Sequence, residues 1–328
     1  MYEPLKVVDL FCGIGGLSFG FWANGFQVTG FDYDKKLKEV WEKNKLGTFI
    51  HADLNDTKLF KNCFIPCDVV IGGPPCQPWS ALNRHKKRGE RHPSYELFLK
   101  TADHIKNLNP KIFIIENVPP LASDPIYEAF LKEVGERFDV DKTLFCYANH
   151  GAPTRRTRLF TIGTNKEQID LKAKEIIKQV NLIRLPPLKV GDVLKRYENV
   201  DFGVIPDHEY KDLSKRIKRI WWKYEKKRYG HKALNENEPA FSFGDINSCP
   251  ILHHKAFKDE RFFRALTVRE ALTVMGFPEW FSFPNELSLS QRYKMIAQVV
   301  SPVFSTILAY VIKQVLMRSR EVIYDWCI

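Results

Sequence analysis

CDVVIGGPPCQPWS, residues 67–80, joins an apolar run to a proline-stiffened loop that carries a thiol. The run CDVVI (67–71) reads as a buried strand. Pro74, Pro75 and Pro78 cannot continue a helix and stiffen the loop after it. Cys76 therefore stands on a turn at the C-terminal end of a strand, where open α/β sheets bind ligands. A thiol held there is a candidate nucleophile. A lone intracellular cysteine is more often a buried small hydrophobe, so a catalytic role for Cys76 depends on other segments of the chain.

Two segments supply that support. FIIENV (113–118) ends a second strand on a carboxylate, Glu116, and VVDLFCGIGG (7–16) runs a strand into a glycine-rich turn. A thiol, an acid and a glycine loop at three strand ends make one active site. Around them residues 1–165 alternate strand and helix. Strands are expected at 5–10, 26–31, 48–51, 67–71, 111–116, 140–147 and 158–163, and helices at 16–23, 35–44, 95–107 and 125–137. That rhythm predicts an α/β fold with a doubly wound, mainly parallel sheet. Residues 166–182 read as a charged helix. From about 183 the rhythm breaks at LPPL (185–188), which suggests a second, smaller lobe. Helical periodicity returns over 285–316, with Ile296, Val300, Val303, Ile307, Tyr310 and Val311 recurring.

At 328 residues, 44% of them hydrophobic, the chain can bury a large core. No stretch approaches 18 consecutive apolar residues, so no membrane span is expected. MYEPLKVVDLF reads as the start of the fold, not a signal peptide. Seven cysteines (12, 63, 67, 76, 146, 249, 327) are scattered with no paired zinc framework. They suit a reducing cytoplasm, and no metal is expected. The net charge of +11 and a pI near 9.2 favour a polyanionic partner. Residues 211–232 hold ten Lys or Arg against Asp212 and Glu225, interleaved with Trp221, Trp222, Tyr224 and Tyr229. This reads as an amphipathic helix with Leu213, Ile217, Ile220 and Tyr224 inward. Its basic face is either solvated or phosphate-bound.

The chain resembles the DNA (cytosine-5) methyltransferases of the restriction-modification type. The pieces lie in family order: DLFCGIGG (9–16), GFDYD (30–34), HADL (51–54), GGPPCQPWS (72–80), YELF (95–98), IIENVP (114–119), GAPTRRTRLF (151–160), RALTVREALTVMGFP (264–278) and QRYKMIAQVVSP (291–302). The resemblance implies a Rossmann-like catalytic domain of 1–168 plus 292–328 and a DNA target-recognition domain of 169–291. It also implies that the C-terminal helix crosses back to the first lobe.

The turn FCGIGG departs from the dinucleotide pattern GxGxxG, its glycines being 13, 15 and 16. Asp32 ends the second strand, where an acid accepts from ribose hydroxyls. Tyr33 comes next and can lie against an adenine, and Asp53 ends the third strand. The resemblance makes the ligand S-adenosylmethionine, held by Phe11, Gly13, Gly15, Gly16, Asp32, Tyr33, Asp53, Pro75, Leu97 and Gln298. The family usually has Gly-Asn in its last motif, where this chain has Ala297-Gln298.

The resemblance also assigns the chemistry. Adding a thiolate to C6 of cytosine turns the poorly nucleophilic C5 into an enamine-like carbon. Cys76 is the nucleophile. Glu116 hydrogen-bonds N3 and the exocyclic amine, with a raised pKa expected in the closed site. Arg156 and Arg158 alternate into a strand, Arg158 for the cytosine O2 and Arg156 as a site organiser. Thr154 stands where the family commonly has Gln. The target must be flipped out of double-stranded DNA. The basic loop NRHKKRGERH (83–92) closes on phosphates or is merely solvated. Recognition is expected from roughly 166–263, with Asn235, Asn237, Ser242, Asp245 and Asn247 as candidate base contacts.

The expected enzyme is a cytoplasmic monomer, paired in function with a restriction endonuclease. Three rivals remain. A tRNA cytosine-5 methyltransferase of the same fold would tend to lack a recognition lobe. A nicotinamide-dependent oxidoreductase rests only on the glycine turn. A non-enzymatic DNA-binding relative would not need Cys76, Glu116 and Arg158.

Overall fold

Strand β4 (Val69–Gly72) and strand β5 (Ile112–Asn117) are buried along their whole length. Strands covered on both faces need continuous apolar runs, which VVIG and IFII provide. They form the centre of a seven-stranded sheet in the first of two compact units in a computed structural model. The structure describes residues 3–61, 65–80, 88–210, 237–241, 251–253 and 263–325.

The other strands of that sheet are β1 (Lys6–Leu10), β2 (Gln27–Asp32), β3 (Thr48–His51), β6 (Phe138–Cys146) and β8 (Thr157–Asn165). The order is β3-β2-β1-β4-β5-β8-β6. The pairs β3-β2, β2-β1, β1-β4 and β4-β5 are parallel, and β8 runs antiparallel to β5. This is the doubly wound, mainly parallel sheet that the alternation predicts. Its helices are α1 (Gly16–Ala23), α2 (Leu37–Asn44), α3 (Leu97–Leu108), α4 (Pro125–Gly135) and α5 (Ala173–Leu182). Phe98, Phe113, Phe130 and Phe138 pack ring to ring between sheet and helices. Each such side chain contributes about 1.5–3 kcal/mol by leaving water.

The first unit comprises residues 1–145, 157–183 and 305–328; the second comprises 146–156 and 184–304. In the second unit, β7 (Thr154–Arg155) pairs in parallel with β9 (Ala240–Phe241). Strand β10 (Ile251–His253) pairs antiparallel with β11 (Phe263–Ala265). Helix α6 (Val190–Leu194) packs with α7 (Val268–Met275), which packs with α8 (Leu289–Ile296). Thr267 and Glu270 make a capping box for α7, as do Ser288 and Gln291 for α8.

The helical periodicity over 285–316 splits into α8 and a long α9 (Pro302–Asp325). The break falls at 297–301 because Pro302 disfavours helix in the residue before it and starts the next one well. Val311 is buried on α9, but Tyr310 is half exposed. Residues of α9 from Ser305 onward group with the first unit. Ser305 accepts from Gly20 N at 3.1 Å and donates to Gly16 O at 3.0 Å. A Cβ on Gly20 would strike the Ser305 backbone at 2.1 Å, so only glycine admits that helix. Among the described residues no helix is long and apolar enough to cross a membrane.

Candidate active site

The chain leaves β1 toward β2 on one side, and β4 continues toward β5 on the other. The loops after β1 and β4 therefore emerge side by side and part, which is where doubly wound sheets bind ligands. Leu10 pairs with Gly72 across the two strands, and Gly73 N donates to Leu10 O at 3.2 Å.

The loop after β1 is the glycine turn. Phe11 has φ 62°, a conformation that costs a bulky residue about 1–3 kcal/mol. Gly13 (φ 51°) and Gly15 (φ 83°) also lie in the left-handed region. They differ in surroundings. A Cβ on Gly15 would meet Leu46 Cδ1 at 2.6 Å, whereas one on Gly13 would meet nothing within 4 Å. Gly15 is there for packing and the reversal into α1, and the buried Gly16 begins that helix. Gly13 keeps a bare backbone beside open space.

The acids border that opening. Asp32 Oδ2 accepts from Gly13 N at 3.0 Å, and Oδ1 accepts from Asp34 N at 3.0 Å. Burial pushes its carboxyl above the ordinary range, against the pull of those amides. Tyr33 is 74% exposed, and its carbonyl is pinned by His51 Nε2 at 2.8 Å. Asp53 is exposed and turns its own loop by accepting from Asn55 N at 2.9 Å. Its neighbour Leu54 accepts from His104 Nε2 at 2.8 Å. Pro75 and Leu97 are half-buried, Leu97 as the first residue of α3. An open glycine backbone, an oriented carboxylate and an uncovered aromatic ring fit the adenosine of S-adenosylmethionine.

The loop after β4 carries the half-buried Cys76. Trp79 N and Ser80 N both donate to Cys76 O, at 3.1 and 3.0 Å, so the thiol opens a tight turn. Strand β5 holds this loop. Asn117 Nδ2 donates to Pro74 O at 3.1 Å, and a Cβ on Gly73 would lie 3.4 Å from Glu116 Oε2. The loop of Cys76 and the carboxylate of Glu116 are thereby brought together. Glu116 is 8% exposed, and Arg158 Nε lies 3.1 Å from its Oε1. Arg158 also donates to Thr157 O at 2.7 Å.

Sequence reading missed the tether from Asn117, although its residue stands inside IIENVP. It also missed Asp9, buried in β1 and accepting from Ser18 Oγ at 2.5 Å. Burial, reinforced by nearby Asp32, pushes the Asp9 carboxyl up to about 8 against the Ser18 hydrogen bond.

Arg156 and Gln298 belong to the second unit. Arg156 is buried one residue before β8, and its carbonyl accepts from Tyr147 N at 3.1 Å. Gln298 is exposed just beyond α8. Thr154 is fully buried in β7. Asn237 is exposed, while Asn235, Ser242, Asp245, Asn247, the basic stretch 211–232 and residues 83–87 lie outside the described residues. Among the described residues no cluster of His, Cys, Asp or Glu could hold a metal.

A family profile described as C-5 cytosine-specific DNA methylase matches residues 5–314. The type II methyltransferase M.FnuDI of Fusobacterium nucleatum is 28% identical, over 97% of this chain and 97% of its own. M.NgoPII of Neisseria gonorrhoeae is 27% identical, over 97% of this chain and 98% of its own. Among solved structures, the S. pombe Dnmt2 methyltransferase aligns with a TM-score of 0.70 at 17% identity, over 96% of this chain and 99% of its own. The Entamoeba histolytica methyltransferase EhMeth gives 0.67 at 16% identity, over 95% and 99%. At those identities the structural likeness carries the fold alone.

Proposed function

The chain belongs to the C-5 cytosine-specific DNA methylases, and we propose that Cys76, Glu116 and Arg158 are the groups that act on the cytosine. The enzyme is a DNA cytosine-5 methyltransferase whose methyl donor is S-adenosylmethionine. Bound near Gly13, Asp32, Tyr33 and Asp53, that donor supplies a methyl group on a positively charged sulfur.

The observation that carries this assignment is the tie between the Cys76 loop and β5. Asn117 bonds Pro74, and the Glu116 carboxylate lies against Gly73. A cytosine placed there meets a thiol, a carboxyl and a guanidinium at once. Cys76 loses its proton and forms a bond from Sγ to C6. The C5–C6 π electrons move toward C5 and N3. Glu116 gives a proton to N3 as charge gathers there, and Arg158 steadies O2 and Glu116. Once C5 is methylated, a base takes its proton, those electrons re-form the C5–C6 double bond, Cys76 leaves C6 as a thiolate, and N3 returns its proton to Glu116.

The substrate is a specific short sequence in double-stranded DNA, with the cytosine flipped from the stack at a cost of a few kcal/mol. Likeness to type II methyltransferases supports a role as the modification partner of a cognate restriction endonuclease. The enzyme acts as a monomer in the cytoplasm.

A duplex with 5-fluorocytosine at the target tests the covalent step. Fluorine cannot leave as a proton would, so enzyme stays bound to DNA after methyl transfer. The adduct should need S-adenosylmethionine, survive denaturation and map to Cys76. Cys76→Ser should abolish it and leave DNA binding in place. An adduct on any other residue would overturn the assignment.

A further inference from the structure

One carboxylate outside the motifs collects three donors from three segments, and one of them is the turn that begins at Cys76. Trp79 Nε1 donates to Asp124 Oδ2 at 2.9 Å. The Tyr95 hydroxyl donates to Asp124 Oδ1 at 2.5 Å. The amide of Ile126 donates to the same oxygen at 3.1 Å, making Asp124 the N-cap of α4. Trp79 and Tyr95 are buried and in ring contact at 5.7 Å, and Trp79 meets Phe98 of α3 edge-on at 5.7 Å.

A helix cap needs only one acceptor, and Asn or Ser would serve α4 as well. The other two bonds need explanation. All three partners donate here, and a carboxylate offers an acceptor oxygen to each of them. An amide would turn an N–H toward the indole of Trp79 or, flipped, toward the amide of Ile126. Trp79 is bound in turn to the nucleophile, because its amide and that of Ser80 donate to Cys76 O. A shift of the indole therefore moves the backbone that carries the thiol.

We propose that Asp124 is a positioning residue for Cys76: it fixes Trp79 and Tyr95 to the first turn of α4 and so sets where the thiol meets C6. The proposal rests on the assignment of Cys76 as nucleophile. A misplacement of about 1 Å near a reacting atom can cost about 10²-fold in rate, so a clamp three residues from the nucleophile acts on turnover more than on ligand affinity.

The test compares Asp124→Asn, Trp79→Phe, Tyr95→Phe and the double variant Trp79→Phe/Asp124→Asn. Each is mixed with excess 5-fluorocytosine duplex and saturating S-adenosylmethionine, and the rate of covalent capture is read in a single turnover. Bisulfite sequencing of DNA from cells expressing the enzyme identifies the target position. Asp124→Asn keeps the cap, and the two Phe variants keep the rings. Capture should slow about tenfold to a hundredfold in Asp124→Asn and Trp79→Phe. S-adenosylmethionine affinity should stay unchanged, and the double variant should be no slower than the slower single. Capture at the wild-type rate, or penalties that multiply in the double variant, would overturn the clamp. If Asp124→Asn does not fold, the two Phe variants decide by the same criterion. If the wild-type enzyme forms no adduct at Cys76, the functional assignment fails instead. The clamp is then read from iodoacetamide alkylation of Cys76, mapped by peptide mass without DNA: a changed rate in Trp79→Phe supports it, and an unchanged one sinks it.

Discussion

Arg158 Nε lies 3.1 Å from Glu116 Oε1, a diagonal contact between the antiparallel neighbours β8 and β5. Glu116 sits opposite Phe160, and Arg158, two residues away, shares that face. Both side chains are largely shielded from water, so the pair is not a screened surface bridge. The guanidinium therefore orients the carboxylate.

Arg158→Ala should therefore lower turnover about 10²-fold, the order expected for losing one donor to developing charge. Arg158→Lys keeps the charge and loses the fork, and should fall between. Single-turnover kinetics on the target duplex checks this order, and an Arg158→Ala rate within a few fold of wild type would show that the pair does not serve the reaction.

The cofactor turn offers a contrast between two glycines. Gly13→Ala adds a methyl into open space and Gly15→Ala adds one into Leu46, both at positive φ. Each pays for a strained backbone, but only Gly15 should also lose packing. Gly13→Ala should weaken S-adenosylmethionine binding in calorimetry more than it lowers the melting temperature, and Gly15→Ala the reverse. Asp32→Ala should weaken binding too, since its carboxylate holds Gly13 N. Equal binding by all three variants would remove the donor from this turn.

Asp9 makes the stability depend on pH. Its carboxyl stands near 8 in the folded protein, against an ordinary value of 3.8, chiefly because it is buried. The folded state therefore keeps a proton that the unfolded chain releases. This contribution is fully present below the unfolded value, near 4, and is lost progressively as the pH rises through the folded value. Asp9→Asn keeps an acceptor for Ser18 and has no proton to lose. Urea unfolding at pH 5 and pH 8 should show wild-type stability falling relative to Asp9→Asn as the pH rises. Parallel curves would mean that Asp9 is ionised in the fold.

Much of this was legible in the sequence, for reasons visible in particular residues. VVDL, DVVIG and IFII read as strands because both faces of the sheet are covered. Strand β6 is buried at few positions, and its start at Phe138 lies two residues ahead of the expected one. The placement of Cys76 and Glu116 at strand ends was legible because the apolar runs before them mark where the strands stop. The contacts of Asp124 and Asn117 were not. Their partners lie 45 and 29 residues away for Asp124 and 43 for Asn117. No local pattern encodes such a pairing, and a cap signal explains Asp124 on its own.

The second unit has its own buried charge centre at Asp207. Arg292 Nη1 lies 3.0 Å from Asp207 Oδ1 and 2.7 Å from Glu209 Oε1, and Arg269 Nη2 lies 3.5 Å from Asp207 Oδ2. Phe283 N donates to Asp207 Oδ2 at 2.9 Å, so one carboxylate ties α7, α8 and the segment between them. Asp207 and Arg269 have almost no exposed side chain. Burying such charges costs several kcal/mol per ion, offset only while every partner is present. Asp207→Ala leaves two guanidinium groups facing each other without their shared anion and should cost about 3–5 kcal/mol. Asp207→Asn should cost less, because an amide keeps one acceptor and asparagine tolerates the φ of 64° found here. Chemical denaturation gives both numbers, and limited proteolysis locates the damage. New cleavage in 184–304 with the first unit intact is the expected pattern. A loss under about 1 kcal/mol in Asp207→Ala, the range of exposed pairs, would mean that water reaches this centre and that apolar packing alone holds α7 to α8.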